Sequence, residues 1–347
     1  MQIIPTALLS FGMSGRVFHA PFIQSHSGFK LVGAWERSTQ TMGGHYPGSK
    51  SYRSLEELLA DPAIELVIVN TPSYTHFEYA KKVLLAGKHV VVEKPFTTTT
   101  AEAMELKSLA EQQKKKLSVY QNRRWDSDFK TVKSIFDENV LGEVVEATIS
   151  YDRFNPLLSP KAHKETPGPG AGIVKDLGPH LIDQALVLFG MPENIFADIQ
   201  ITRPLSQVDD YFEMLLYYPQ LRVRLKSGYF VREPVASFII HGTKGTFLKS
   251  RADVQEVQLQ AGMKPNDPSY GLEPEGAQGY LHTEKDGKVI KEKVKSHRGN
   301  YMAYYEGLYQ ALTGQKPLPV TADDGINVMR VIDAAIKSSK EKRVVGV

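Results

Sequence analysis

The sequence predicts an α/β protein, with an N-terminal doubly wound parallel sheet and a C-terminal α+β domain whose open sheet is mostly antiparallel. Two observations predict this fold class. Over about the first 120 residues, short apolar strands without polar alternation are separated by helices, which is typical of a parallel sheet covered on both faces. Beyond that point the strands are longer and alternate between apolar and polar residues, as in an antiparallel sheet with one solvent-facing side. We therefore predict two domains, residues 1–121 and 122–347.

The composition is that of a globular chain: of 347 residues, 41% are apolar and 23% are charged. The net charge of +3 is small for this length, so we expect neither a nucleic-acid partner nor a membrane partner. The absence of cysteine excludes disulfides, thiolate metal sites and cysteine nucleophiles. The first residues lack the positive segment of a signal peptide, and no apolar run approaches the ~20 residues of a membrane span, which favours a cytoplasmic protein.

A glycine-containing turn follows the first predicted strand, residues 6–9, and precedes a predicted helix from Arg16. Gly12 lets the backbone approach a pyrophosphate in such a turn, and Gly15 lets the helix and strand pack closely. Ser10 stands where the dinucleotide-binding fingerprint of a Rossmann fold has its first glycine, so the motif by itself is a weak signal. The residues of this turn that we expect to bind a cofactor are Phe11, Gly12, Met13, Ser14 and Gly15.

The second predicted strand, residues 29–35, ends at Glu36, about 20 residues beyond the glycines, as the fingerprint requires. A carboxylate at this position accepts hydrogen bonds from the adenosine ribose hydroxyls and repels the 2′-phosphate of NADP. Arg37 would do the reverse by pairing with that phosphate. The sequence therefore predicts NAD or NADP as the cofactor, with a slight preference for NAD.

Two further α/β units follow, and the first of their helices begins with a capping box at Ser54. The strand 66–69 then runs into Asn70-Thr71-Pro72 and His76, and a predicted helix over residues 77–86 ends at Gly87. Because ligands of open α/β sheets bind at the carboxyl ends of the strands, we expect Asn70, Thr71 and Pro72 to lie beside the cofactor. His76 is either structural or a further neighbour of the cofactor.

The run His89-Val90-Val91-Val92-Glu93-Lys94-Pro95 predicts a central strand that is buried on both faces. Pro95 has no backbone donor, so the strand ends before it. Glu93 and Lys94 are then presented at the carboxyl end of the strand, where a ligand binds. The alternative interpretation is an ordinary surface ion pair.

The second domain is predicted from alternating strands, and a segment rich in Gly, Pro and Asp is predicted to be a long surface loop. The predicted strands are 143–150, 213–218, 222–227 and 236–240, the loop is 262–287, and the closing helices are 301–312 and 322–338.

A second group of candidate catalytic residues lies around Pro179, which is tolerated in the first turn of a helix. Asp176 is predicted close to the N-cap, and His180 about one turn further in, on the same face as Asp183. A histidine near a positive helix end favours the neutral form, which can accept a proton, and a carboxylate can orient it. Alternatively, Asp176 is only a cap and His180 a core histidine. We expect no metal, because no third ligand is visible nearby.

Together these segments resemble the Gfo/Idh/MocA family of sugar and polyol dehydrogenases, and the resemblance covers the whole chain. The segments that resemble its NAD(P)-dependent scyllo-inositol 2-dehydrogenases most closely are Phe18-His19-Ala20-Pro21, residues 122–129 and residues 176–183. The resemblance implies hydride transfer between the nicotinamide and a ring secondary alcohol of a polyol or sugar. It also implies a homodimer or homotetramer, in which the open sheet of the second domain is covered.

The resemblance further implies the roles of the candidate residues. His180 is the first choice for the general base, Lys94 polarises the substrate oxygen and relays the proton, and Asp176 positions hydroxyl groups. Some family members assign the base to the lysine instead. Asn70 and Glu93 are expected to face the nicotinamide ribose. The residues of the Asn122-Arg123-Arg124 segment are expected to contact cofactor or substrate, with Asn122 on the cofactor and both arginines on the substrate.

Other functions are possible on the same scaffold. One is a different reaction, such as reduction of a sugar ketone or an NAD-dependent glycosidase. Another is a cofactor-sensing regulator without catalysis, which the presence of Lys94, Asp176 and His180 together argues against, since a sensor has no need of a proton relay.

Overall fold

The computed structural model describes residues 2–37, 40–160, 162–233 and 235–347. The chain forms two compact units. The first comprises Met1–Asn122, Gln255–Tyr270 and Asn300–Ile326, and the second comprises Arg123–Val254, Gly271–Gly299 and Asn327–Val347. Within the described residues, no helix combines the length and the apolar character that crossing a bilayer requires.

The first unit contains a parallel sheet, which has six strands within the part of the chain that the structure describes. The strands are β1 (Ile4–Leu8), β2 (Phe29–Trp35), β3 (Lys50–Tyr52), β4 (Leu66–Val69), β5 (His89–Val92) and β6 (Leu117–Val119). Their order is β3-β2-β1-β4-β5-β6, so the direction of chain progression reverses between β1 and β4. All four residues of β4 are buried, as are the three valines of β5. The predicted doubly wound parallel sheet is confirmed.

Helices connect the strands of this sheet and continue through the rest of the chain. In chain order they are α1 (Ala20–Ser25), α2 (Met42–His45), α3 (Leu55–Ala60), α4 (His76–Leu85), α5 (Thr100–Gln112), α6 (Ser127–Asp137), α7 (Ala162–Glu165), α8 (Ile173–Asp176), α9 (Gly178–Phe189), α10 (Gln255–Gln260), α11 (Met302–Leu312) and α12 (Ala322–Glu341). A π-helical segment, Gly15–His19, precedes α1, and short 3₁₀ segments lie at Ser73–Thr75 and Asn122–Trp125. The cap at Ser54 is confirmed, because its hydroxyl accepts the backbone N–H of Glu57 at 3.0 Å.

The second unit contains a larger sheet, with nine strands among the described residues. They are β7 (Val144–Ser150), β8 (Asn194–Gln200), β9 (Tyr211–Tyr217), β10 (Arg222–Gly228), β11 (Phe238–Gly242), β12 (Gly245–Lys249), β13 (Gly279–Lys285), β14 (Lys288–Val294) and β15 (Val345–Gly346), in the spatial order β14-β13-β12-β11-β7-β10-β9-β8-β15. The pair β7–β10 is parallel and the other described pairs are antiparallel. In β9, Phe212, Met214 and Leu216 are buried while the residues between them are partly exposed. The predicted two-faced, mostly antiparallel sheet is confirmed.

The prediction of one long surface loop over residues 262–287 is wrong in its last part. Strand β13 lies there and forms a hairpin with β14, through a two-residue turn at Asp286 and Gly287. Both turn residues have positive φ, 52° and 72°, as the tight turns of twisted hairpins require. The buried positions of β13 include a glycine and a threonine as well as a leucine, so its apolar alternation is too weak to predict a strand.

Candidate active site

The cofactor turn, residues 10–15, is built around Ser10. The Ser10 hydroxyl accepts the backbone N–H of Gly12 at 3.2 Å. The side-chain amide of Asn70, at the end of β4, accepts the Ser10 N–H at 3.0 Å and donates to the Ser10 carbonyl at 2.8 Å. A serine therefore serves in place of the first glycine of the fingerprint, because its side chain and that of Asn70 hold the turn.

The remaining turn residues fit a dinucleotide pyrophosphate. A Cβ atom on Gly15 would lie 2.3 Å from the Ser10 carbonyl oxygen, so only glycine permits this close packing of helix and turn. Helical backbone begins at Met13, directly after Gly12, which places a helix N-terminus at the turn. Phe11 is buried against the rings of His45 and Tyr46, with centroid distances of 5.5 and 6.0 Å.

Glu36 lies where it was predicted, at the end of β2, but its carboxylate is turned into its own chain. Only 6% of the residue is exposed. One oxygen accepts the backbone N–H and the hydroxyl of Thr41, and the other accepts the N–H of Met42 and the hydroxyl of Ser51. Burial raises the pKa of Glu36, but these hydrogen bonds outweigh it and the pKa is lowered. A ribose diol would have to displace bonds already made, whereas the neighbouring Arg37 is exposed.

His76 is almost fully buried, at 1% exposure, and supports two backbone segments. Its Nδ1 lies 2.8 Å from the carbonyl oxygen of Pro95, and its Nε2 lies 2.9 Å from that of Thr71. Burial lowers the pKa of His76, in spite of the two carbonyl contacts. In this structure His76 holds Thr71 and Pro95 in place, which agrees with the structural alternative of the sequence interpretation. Pro72 lies between these contacts and precedes the Ser73–Thr75 segment.

Glu93 and Lys94 follow β5 directly, as predicted. Glu93 Oε1 accepts the hydroxyl of Ser14 at 2.7 Å and lies 3.0 Å from His19 Nε2. Glu93 Oε2 accepts the backbone N–H of Lys94 at 3.2 Å. Burial raises the pKa of Glu93, but the hydrogen bonds and charge of His19, with smaller contributions from Ser14 and Lys94, lower it to about 2. Glu93 is therefore an anchored carboxylate, and Lys94 is the next, partly buried residue.

His19 and Tyr305, which lie around Glu93, have no role assigned in the sequence analysis. His19 is fully buried, and its Nδ1 lies 2.8 Å from the hydroxyl of Tyr305 on α11. His19 stands in the Phe18-His19-Ala20-Pro21 segment that carries the family resemblance, so a signal for it was present. Tyr305 is 286 residues away in the chain and could not be linked to it by spacing.

In the second unit, His180 lies in the first turn of α9 and is 4% exposed. The N-cap of this helix is Leu177, without a side-chain cap, and Pro179 occupies the first turn as expected. Asp176 does not cap α9, because the chain forms the short helix α8 immediately before it and Asp176 is its last residue. Its carboxylate instead accepts from Lys164 Nζ at 2.9 Å.

Arg124 and Asp183 form a bidentate ion pair within the second unit. Arg124 Nε and Nη2 donate to the two Asp183 oxygens at 2.8 and 2.7 Å, and the side chains are 15% and 3% exposed. Asp183 and Arg124 are thus partners of each other. The sequence instead predicts that Asp183 orients His180 and that Arg124 binds substrate. Asn122 is buried, in the first unit.

Arg123 belongs to a group of three arginines around one aromatic ring. The guanidinium carbons of Arg123, Arg153 and Arg251 lie 5.2, 4.8 and 4.6 Å from the ring centroid of Tyr151. Arg123 Nη1 also contacts Asp126 at 3.3 Å. Tyr151, Arg153 and Arg251 were not singled out by the sequence. Among the described residues, no group of three or more His, Asp and Glu side chains is arranged to hold a metal ion.

Comparison with known proteins agrees with this architecture. Residues 6–121 match the family model described as oxidoreductase family, NAD-binding Rossmann fold (GFO_IDH_MocA), and residues 133–347 match its C-terminal alpha/beta domain. The chain is 39% identical over 345 residues to scyllo-inositol 2-dehydrogenase (NADP(+)) IolW of Bacillus subtilis, covering 99% of this chain and 96% of that protein. It is 38% identical over 339 residues to YdgJ of Escherichia coli, an uncharacterized oxidoreductase, covering 98% and 97%.

Solved structures give the same result. A crystal structure from Bacteroides fragilis, of a protein described as an oxidoreductase, has a TM-score of 0.92 at 44% identity and covers 100% of both chains. The structure of the protein yvaA from Bacillus subtilis has a TM-score of 0.95 at 38% identity, covering 100% of this chain and 99% of that one. The two matching family models, the aligned relative and a glycine turn of the dinucleotide-binding type thus lead to one conclusion: the chain is an NAD(P)-dependent oxidoreductase and belongs to the Gfo/Idh/MocA family.

Proposed function

We propose that this oxidoreductase transfers hydride between the nicotinamide and a ring secondary alcohol of a polyol or sugar, with scyllo-inositol as the first substrate to test. The observation that carries the proposal is the placement of Lys94, a cationic side chain directly after an anchored carboxylate at the carboxyl end of β5. The substrate class is supported by the relative that is a scyllo-inositol 2-dehydrogenase, which aligns over nearly the whole chain.

The proposed roles follow from the needs of the reaction. When bound, the cofactor accepts or supplies the hydride. The protein must then take up the hydroxyl proton as the carbonyl forms, and His180 is proposed as the general base for that step. Lys94 is proposed to polarise the substrate oxygen and relay the proton, and Asp176 to accept hydrogen bonds from neighbouring hydroxyls. The alternative assignment makes Lys94 itself the base.

We further propose that NADP is preferred over NAD. The slight preference for NAD assumed that Glu36 receives the ribose hydroxyls, but its oxygens already accept four hydrogen bonds from Thr41, Met42 and Ser51. Arg37 is exposed next to it and carries the charge that a 2′-phosphate requires. The relative in Bacillus subtilis uses NADP(+), which supports the same choice.

The experiment is a steady-state absorbance screen at the reduced-nicotinamide band, crossing NAD and NADP with inositols, aldoses and their keto forms. We expect turnover with scyllo-inositol and NADP, and its loss in the Lys94→Ala variant. Turnover confined to keto-sugars would make the protein a sugar ketone reductase. Release of nitrophenol from nitrophenyl glycosides would indicate a glycosidase, and tight NADPH binding without any turnover would indicate a sensor.

The quaternary state and the location of the protein stay predictions. The solvent-facing side of the second sheet includes exposed Phe196 and Tyr280, 37% and 41% exposed, which is consistent with a face that a second copy covers. A homodimer or homotetramer and a cytoplasmic location are the expectations to test by sedimentation and fractionation.

A further inference from the structure

A buried polar cluster in the first unit joins the cofactor turn to the end of β5. It consists of Ser14, His19, Glu93 and Tyr305, and we call it the His19 cluster. Glu93 Oε1 receives both the Ser14 hydroxyl, at 2.7 Å, and His19 Nε2, at 3.0 Å. His19 has no exposed surface, so its only role in the first unit is through the groups that it contacts.

The contact with Glu93 determines which ring nitrogen of His19 donates. An ionised carboxylate can only accept, so the 3.0 Å contact requires a proton on Nε2. Nδ1 faces the hydroxyl of Tyr305 at 2.8 Å, and a hydroxyl can either donate or accept. His19 therefore donates from Nε2 to Glu93 and is held on its other side by Tyr305.

The groups that surround His19 leave Glu93 as its anionic acceptor. The titratable groups that face it are Glu93 and Tyr305, and the ring of Tyr120 packs against it at 4.6 Å. Burial raises the pKa of Tyr120 and of Tyr305 well above the ordinary value, so both hydroxyls stay neutral. Glu93 is therefore the anionic acceptor of the His19 cluster, and Lys94 follows it directly in the chain.

We propose that His19 is a positioning residue, which by donating from Nε2 fixes the Glu93 carboxylate and, through it, the Ser14 hydroxyl and the backbone of Lys94. One oxygen of Glu93 holds the cofactor turn, and the other holds the peptide N–H of the residue proposed to polarise the substrate. Without the Nε2 donor, Glu93 Oε1 would lose one of its two hydrogen bonds in a mostly buried site, which favours protonation or rotation of the carboxylate. Either change releases Ser14 and Lys94 together. The functional part of this inference rests on the proposed function.

The kinetic test compares His19→Leu with His19→Gln, whose amide can still donate one hydrogen bond to Glu93. We expect His19→Leu to lower kcat about 100-fold, as small misplacements of reacting groups do, with a much smaller change in KM. His19→Gln should recover part of the loss. The matched control is His26→Gln, since His26 also contacts a glutamate, Glu306, at 3.0 Å but lies outside the cluster; its kcat should not change. A kcat for His19→Leu within twofold of wild type, per folded molecule, would overturn the proposal.

A second readout does not need turnover. Nitrogen-15 spectra of the protein, labelled in histidine, report directly whether each ring nitrogen carries a proton. We expect Nε2 of His19 to carry a proton, with its signal assigned by its absence from the spectrum of the His19→Gln variant. A His19 whose Nε2 is unprotonated would reject the proposal even if the enzyme is active. If the substrate screen fails while Nε2 of His19 is protonated, the substrate assignment alone is at fault.

Discussion

The side-chain amide of Asn70 makes two hydrogen bonds to the backbone of Ser10. It accepts the Ser10 N–H at 3.0 Å and donates to the Ser10 carbonyl at 2.8 Å. The two residues are 60 positions apart and follow neighbouring strands, β4 and β1. The shape of the cofactor turn therefore depends on a residue of another strand as well as on its own glycines. Asn70 was expected to face the nicotinamide ribose, and in this structure its amide supports the turn.

Asn70→Ala should weaken NADPH binding about tenfold, because the turn loses two hydrogen bonds and leaves the Ser10 backbone groups unsatisfied. A fluorescence titration with NADPH measures this effect. Asn300→Ala, which changes an exposed asparagine of the same unit, should leave the dissociation constant unchanged. An unaltered constant for Asn70→Ala would show that the turn keeps its shape without the amide.

Lys94→Ala should reduce turnover by about 10²- to 10⁴-fold, since the proposed polarising and proton-relay group is removed. The dissociation constant of NADPH should change only a few-fold, because the cofactor turn is intact. Lys81→Ala is the matched control, since Lys81 is a partly exposed lysine of the same unit that pairs with Glu105. Turnover of Lys94→Ala equal to that of the control would remove Lys94 from the reaction.

Arg37→Ala should weaken NADPH binding about tenfold, because a charge-assisted hydrogen bond to the 2′-phosphate is lost. NADH binding should not change, since NADH lacks that phosphate. Paired titrations measure the ratio of the NADPH and NADH dissociation constants. An equal loss of affinity for both cofactors would mean that Arg37 does not contact the 2′-phosphate.

Glu36→Gln should destabilise the folded protein by about 2 kcal/mol at neutral pH, because a carboxylate with four donors becomes an amide. The folded-state pKa of Glu36 lies below the ordinary value of 4.5. Its stabilising contribution is therefore fully present above pH 4.5 and is lost as the pH falls further. Urea unfolding at neutral and acidic pH should show the difference from wild type shrinking toward acid. Glu56→Gln, at an exposed position of the same region, should show no such trend.

Asp183→Asn should lower the free energy of unfolding by about 3–5 kcal/mol, because it leaves the Arg124 guanidinium without its buried carboxylate. Asp137→Asn is the comparison, since Asp137 pairs with Lys133 at the surface, where a lost ion pair costs about 1 kcal/mol or less. Chemical denaturation of both variants measures the two costs. If they were equal, the Arg124–Asp183 pair would be no more than a surface-type contact.

Local patterns predicted the elements that depend on local chemistry. The run Val90-Val91-Val92 predicted β5, and the position of Lys94 followed from where that strand ends. The ring of donors around Glu36 was not predictable, since it depends on how the segment after β2 folds back toward Ser51. The residue type alone therefore does not show whether the Glu36 carboxylate faces a ribose or its own chain. The His19–Tyr305 contact joins residues too far apart for any periodicity to connect them.

The first unit is assembled from separate stretches of the chain, which the ribosome synthesises at different times. Tyr305 stacks on Phe22 at 5.2 Å, and Tyr309 donates its hydroxyl to the carbonyl of Gln2 at 3.0 Å, so residues near the end of the chain pack on the beginning. On the ribosome, the parallel sheet emerges first but lacks these aromatic partners until the segment Asn300–Ile326 has been translated. Through most of elongation, the nascent chain therefore carries an incomplete nucleotide-binding unit whose apolar helix face around Phe22 awaits its cover.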